Sequence, residues 1–231
     1  MTIESLTRDE LLSYIENEAK IRIDDSIEEA IEMVEEVHAG AKREDDTSSF
    51  LETHIWPTTL AVIKHYISAN KFLSSLQITS AILHDVMEDN EKIMDLYASK
   101  TYGFDAYFLH KFGDYVYKTV MTLKVKPLEN FSGSTEGEQK SERFFEYCNL
   151  LANANYDVKT IKLADRLNNM RFIAGIPGHE KINRYIREAE DFYIAYPLLT
   201  PRMDNFYTKI RKAYEDLRKV RENIREIVTS T

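Results

Sequence analysis

Apolar residues in this chain recur at helical spacing, and no stretch alternates apolar and polar residues as a half-buried strand would. Helix-start signals reinforce the pattern. Thr7-Arg8-Asp9-Glu10 and Ser26-Ile27-Glu28-Glu29 have the capping-box form, in which a hydroxyl and a carboxylate three residues later satisfy free backbone donors. With 7 Gly and 5 Pro in 231 residues, the chain is too poor in turn formers for a sandwich or barrel. The spacing predicts helices over about 26–38 (ended by Gly40), from Pro57 to about 69, and over 75–89, 138–152, 156–174 and 180–196. Residues 42–53 read as a loop. The aromatic-rich stretch 100–113 reads as short helical pieces, and 126–137 as a mobile loop. Pro197 and Pro201 break the chain before a long charged helix over 201–230. The expectation is an all-α single domain over 1–231: a bundle of about ten helices, with its core over about 26–200 and a C-terminal helix beyond.

The charge balance, 39 acidic against 30 basic residues, argues against nucleic-acid binding, which needs a basic footprint. It leaves room for a small phosphorylated substrate in a locally basic pocket. The single cysteine, Cys148, rules out an internal disulfide framework and suits a reducing compartment. No apolar run approaches a membrane span, and the first residues lack a signal peptide's basic start. A cytoplasmic protein with no membrane partner is expected; nothing in the sequence sets its oligomeric state.

The segment Ile82-Leu83-His84-Asp85-Val86-Met87-Glu88-Asp89 admits two readings. As a plain amphipathic helix, its polar positions 84, 85, 88 and 89 form a solvated face. As chemistry, adjacent His and Asp can give one imidazole and one carboxylate to a divalent metal. Glu88 and Asp89, one helical turn on, then stand beside a reacting water as acid or base. An HD pair needs further ligands. Asp165, in Lys162-Leu163-Ala164-Asp165-Arg166-Leu167-Asn168-Asn169-Met170-Arg171, can supply one; a surface carboxylate pairing with Arg166 is the plainer alternative. A histidine should complete the set. His54, just before a helix, and His65, on that helix, are competing candidates.

Together these segments resemble the hydrolase domain of the RelA/SpoT-homologue family, in particular its small stand-alone alarmone hydrolases of the HD type. Residues 84–89 look like its HDxxED signature, and Lys162–Arg171 is similar to its KLADRLxNMR signature, with Asn168 at the variable position. His38–Arg43 resembles the H-x-G-Q-x-R segment opening the family's nucleotide pocket, and His54 falls where its first metal-binding His is found. Phe112-Gly113 followed by Leu123-Lys124 resembles FG…LTK, and Ile186–Leu199 resembles ETLxxYxPLA, so the likeness spans roughly residues 30–200.

The resemblance implies a metal-dependent hydrolase of (p)ppGpp acting in the stringent response and releasing pyrophosphate and GDP or GTP. It implies His54, His84, Asp85 and Asp165 as metal ligands. The mixed N/O set suits Mn²⁺, with Fe²⁺, Mg²⁺ or Zn²⁺ as alternatives. Glu88 and Asp89 would handle the proton, Arg43 the base and Asn169 the ribose. Lys140 and Arg143 are candidate phosphate contacts, although a solvated helix face explains them equally well. Departures fall in the nucleotide pocket. Ala41 stands for Gln, Glu44 for a Lys, Ser48–Leu51 for G-x-P-Y, and Pro57 is displaced from the H-P-x-x-V-A pattern. Another phosphorylated nucleotide, such as an adenine alarmone or NADPH, is therefore the second reading. A non-catalytic nucleotide-sensing protein is the third. The residues after Tyr196 are too few for a synthetase half, so hydrolysis alone is expected.

Overall fold

The computed structural model describes residues 5–88 and 103–229, with side chains described as far as residue 225. Nine α-helices carry the fold of these residues: α1 Arg8–Asn17, α2 Asp25–Val37, α3 Trp56–Ser68, α4 Ser75–Ile82, α5 Phe104–Leu123, α6 Glu136–Asn153, α7 Tyr156–Ala174, α8 Lys181–Glu188 and α9 Asp204–Thr229. Single π-helical turns, Leu51–Ile55 and Ala189–Tyr193, run into α3 and out of α8. The described residues contain no strand, only an isolated antiparallel bridge between Lys42 and Ser49. None of the described helices is long and apolar enough to cross a membrane.

Local chemistry accounts for most boundaries. The Thr7 hydroxyl accepts from the Glu10 N–H, and the Glu10 carboxylate accepts from the Thr7 N–H, starting α1 as its sequence implies. The second expected capping box does not form. Asp24 caps α2 by accepting from the Ile27 N–H (3.1 Å), while the Ser26 hydroxyl lies 3.2 Å from that of Thr79 on α4. The carboxylate is the stronger acceptor at a helix N-terminus. The expected helix over 75–89 ends early, with α4 stopping at Ile82. The helical stretch expected up to Gly113 does end there, and a second segment follows at once, so α5 is two segments that meet at that glycine. Gly113 adopts φ 79° with ψ 169°, non-helical angles open to glycine, and joins the two segments at a kink.

Two apolar clusters share α3. Trp56, Leu60 and Ile63 pack with α1, α2, α4 and α5; Val62 and Tyr66 pack with α7 to α9. Helix α7 is buried on most sides, through Leu163, Ala164, Leu167, Met170 and Ile173 among others. It lies against α3 and α9, so whatever α7 carries is held rigidly in the interior.

His65 lies on the α9 side of α3. Its Nε2 is 2.7 Å from the Tyr156 hydroxyl and its ring lies 4.6 Å from that of Phe206, while Nδ1 has no partner. Burial, aided by the charges of Lys209 and Lys71, pushes its pKa down to about 4. A depressed histidine pKa contributes stability that is full above the unfolded value near 6.5 and is lost as pH falls toward 4. Urea unfolding should therefore lose about 2 kcal/mol between pH 7 and pH 5 through this group. The His65→Gln variant should lack that part of the slope, and an unchanged slope would show that His65 does not titrate as described.

Candidate metal centre and substrate cavity

The site is assembled from three elements. His54 comes from the π-turn before α3, His84 and Asp85 from the turns after α4, and Asp165 from the middle of α7. The early end of α4 changes the geometry expected from helical spacing. The His84 Nδ1 lies 2.8 Å from the Ala81 carbonyl, and the Glu88 N–H donates to the Asp85 carbonyl at 2.9 Å. Tight turns, not one helical face, therefore present these side chains. The His54 Nε2 is 2.8 Å from Asp85 Oδ2, 3.3 Å from the His84 Nε2 and 3.6 Å from Asp165 Oδ1. The His84 Nε2 is 3.4 Å from Asp85 Oδ2. His54, His84 and Asp165 are buried, and Asp85 nearly so.

The proton positions follow from the partners. A backbone carbonyl only accepts, so the His84 Nδ1 carries hydrogen and its Nε2 faces the cluster bare. Burial lowers the pKa of His84 and keeps the ring neutral, against the pull of Asp85. Burial alone would raise Asp85, yet the His84 and His54 rings and Lys162 hold it below the usual carboxylate range. Two imidazole Nε2 atoms and a carboxylate oxygen thus converge on one buried point, an arrangement that a divalent cation would stabilise. Borderline nitrogen and hard oxygen donors together fit a divalent metal.

Asp165 is more engaged than the three others. Its Oδ2 accepts from the Lys162 Nζ at 2.7 Å and its Oδ1 from the Asn169 amide. Burial is the strongest single influence and opposes its ionisation, but Lys162 together with the His54 and His84 rings overcomes it and lowers the pKa. Arg166 pairs with Glu188 at 2.6 Å rather than with Asp165, its guanidinium lying over the Tyr193 ring. Asp165 is therefore not the surface carboxylate of the plainer reading. Glu88 opens onto the adjoining cavity and accepts the Val125 N–H at 3.1 Å. Glu88 is exposed to that cavity rather than enclosed, yet the surrounding walls crowd out part of its solvent, Asp85 and Asp165 repel its charge against the attraction of Lys162, and its pKa is pushed up to about 7. Asp89 lies outside the described residues.

A cavity of about 940 Å³ opens beside the cluster. Eight basic and six acidic residues line it, so it is locally basic within an acidic protein. Lys140 and Arg143 stand on its α6 wall, and Lys181 and Arg184 on its α8 wall. Lys140 pairs with Glu136. Lys181 pairs with Glu44 at 2.6 Å. Burial would raise the Glu44 pKa, but the Lys181 hydrogen bond and the Arg43 charge hold it at about 2.

Arg43, which the sequence assigns to a nucleotide base, has a side chain only 1% exposed. Its Nε donates to Glu44, Nη1 to Asn168 (3.1 Å) and Nη2 to Asn169 (2.9 Å), and its plane lies 4.1 Å from the Phe172 ring centre. It is committed to protein groups. Lys162, Asn168 and the Arg166–Glu188 pair were not singled out from the sequence; the spacing of Lys162, Asp165 and Asn169 along one helix was the available signal.

Fold and site define an all-helical protein with a buried two-histidine, two-carboxylate cluster at the head of a basic cavity. No protein-family model matches the chain, and no curated protein sequence does. Its fold is similar to that of a solved metazoan ortholog of SpoT that hydrolyzes ppGpp and plays a role in starvation responses. The TM-score is 0.60 at 17% identity, over 84% of this chain and 96% of that one. The all-α fold expected from the sequence resemblance is the fold found.

Proposed function

We propose that this protein is a metal-dependent phosphohydrolase that removes the 3′-pyrophosphate from a (p)ppGpp-type alarmone nucleotide, releasing pyrophosphate and GDP or GTP. The observation that carries the reading is the convergence of the His54 and His84 Nε2 atoms with Asp85 at the head of a basic cavity. The shared fold with a ppGpp hydrolase supports the substrate class.

In this reading His54, His84, Asp85 and Asp165 hold one divalent ion, Mn²⁺ in the first instance. Such an ion lowers the pKa of water and neutralises charge on a phosphoryl group. The protein's own groups do the rest. Glu88 takes the proton of the attacking water, whose oxygen joins the phosphorus bonded to O3′; the P–O3′ bond breaks and O3′ is protonated. The sequence assigns Asp89 to the same proton handling. Lys162, held beside Asp165, supplies positive charge next to the reacting phosphoryl group. Lys140 and Arg143 hold the remaining phosphates, and Asn169 contacts the ribose. Arg43 acts through Asn168 and Asn169.

The commitment of Arg43 to protein groups favours keeping the second reading, another phosphorylated nucleotide, in the test. Incubation with Mn²⁺ and ppGpp, pppGpp, an adenine alarmone and NADPH, with product analysis, should give pyrophosphate and GDP from ppGpp. Turnover of NADPH or the adenine nucleotide alone would replace the substrate. No turnover of any of them by metal-loaded protein would overturn the enzyme reading.

A further inference from the structure

One amide side chain fixes which ring nitrogen of His54 carries hydrogen, the one turned away from the cluster. Asn168 Oδ1 faces the Arg43 Nη1 at 3.1 Å and the His54 Nδ1 at 2.8 Å, while its Nδ2 faces the Thr53 carbonyl at 3.0 Å. Guanidinium only donates and a backbone carbonyl only accepts, so these two partners set which end of the amide is oxygen without reference to His54. The oxygen is therefore the end turned to His54, and the His54 Nδ1 must donate to it. In the neutral ring this leaves the Nε2 without hydrogen, 2.8 Å from Asp85 Oδ2 and 3.3 Å from the Nε2 of His84. The Thr53 carbonyl that Asn168 meets lies four residues before Pro57, whose ring nitrogen has no N–H to donate.

We infer that Asn168, clamped by Arg43, is the positioning residue that sets the tautomer and aim of His54 as a metal ligand. The inference rests on the cation-site reading above and adds to it a residue that neither binds metal nor lines the cavity. It also gives Arg43 a task its burial allows. One guanidinium holds Asn168 against His54 and Asn169 against Asp165, so two of the four proposed ligands are oriented from one cation. Partners that orient a metal-bound imidazole typically change metal affinity by about 10–100-fold when removed.

The decisive measurement is the ¹⁵N–¹H long-range correlation of His54 in the metal-free wild-type protein, above the imidazole titration. The inference requires the Nδ1–H tautomer, and finding Nε2–H overturns it with no variant involved. In Asn168→Leu the His54 tautomers should mix and the Kd for Mn²⁺ should rise by about 10–100-fold. Asn168→Asp keeps an oxygen toward His54 and Arg43 but cannot donate to the Thr53 carbonyl, so it should keep the Nδ1–H tautomer and weaken Mn²⁺ binding less than Asn168→Leu does. Wild-type affinity in Asn168→Leu, or equal weakening in both variants, would sink the positioning role. Wild-type protein that binds no divalent ion would instead defeat the proposed function, while the tautomer would still decide the state of His54.

Discussion

Glu88→Gln should lower kcat by roughly 10²–10⁴-fold, the usual contribution of a positioned acid or base, while Mn²⁺ still binds. The substitution is close to isosteric, and a glutamine oxygen can still accept the Val125 N–H. What it removes is the capacity to take a proton, in a carboxylate that its surroundings poise near neutrality. Glu88 is not among the groups converging on the cation position, so metal titration should follow the wild-type curve. Turnover within a few-fold of wild type would exclude Glu88 from proton transfer.

His84→Ala should lose Mn²⁺ binding and hydrolysis together. The imidazole supplies one of the two bare Nε2 atoms, and Asp85 loses the ring 3.4 Å from its Oδ2. The clearest readout is thermal. Wild-type protein at a metal concentration about 100 times Kd should gain about 2.7 kcal/mol of stability, reversed by a chelator. His84→Ala should gain none, whereas His65→Gln should respond as the wild type does, since His65 lies with Tyr156 and Phe206 away from the cluster. A full Mn²⁺ response in His84→Ala would remove His84 from the ligand set.

The helical elements were legible because apolar spacing and caps are local properties. The end of α4 was not. Residues 82–87 keep a helix-like apolar pattern, yet the backbone turns after Ile82 and His84 bonds back to Ala81. Gly113 reads as a terminator in sequence and does end one helical segment, but a second, burying Val116, Val120 and Leu123, follows at once. Within the site, His84 and Asp85 are visible as a pair, whereas His54 and His65 cannot be separated by residue type. Packing separates them, turning His65 toward Tyr156 and His54 toward Asp85. Asn168 occupies a position that reads as filler, because its partner His54 lies 114 residues away.

The proline in the first turn of α3 has a mechanical consequence. It cannot donate to the Thr53 carbonyl, which accepts instead from Asn168 of α7, so the imidazole of His54 rides on the spacing between two helices. A change in that spacing of a few tenths of an ångström would alter the aim of a proposed ligand as well as the packing of a core. Interior substitutions along the α3–α7 contact should therefore register in metal-affinity titrations before they register in melting curves, which makes the metal a sensitive gauge of how well this interior is packed.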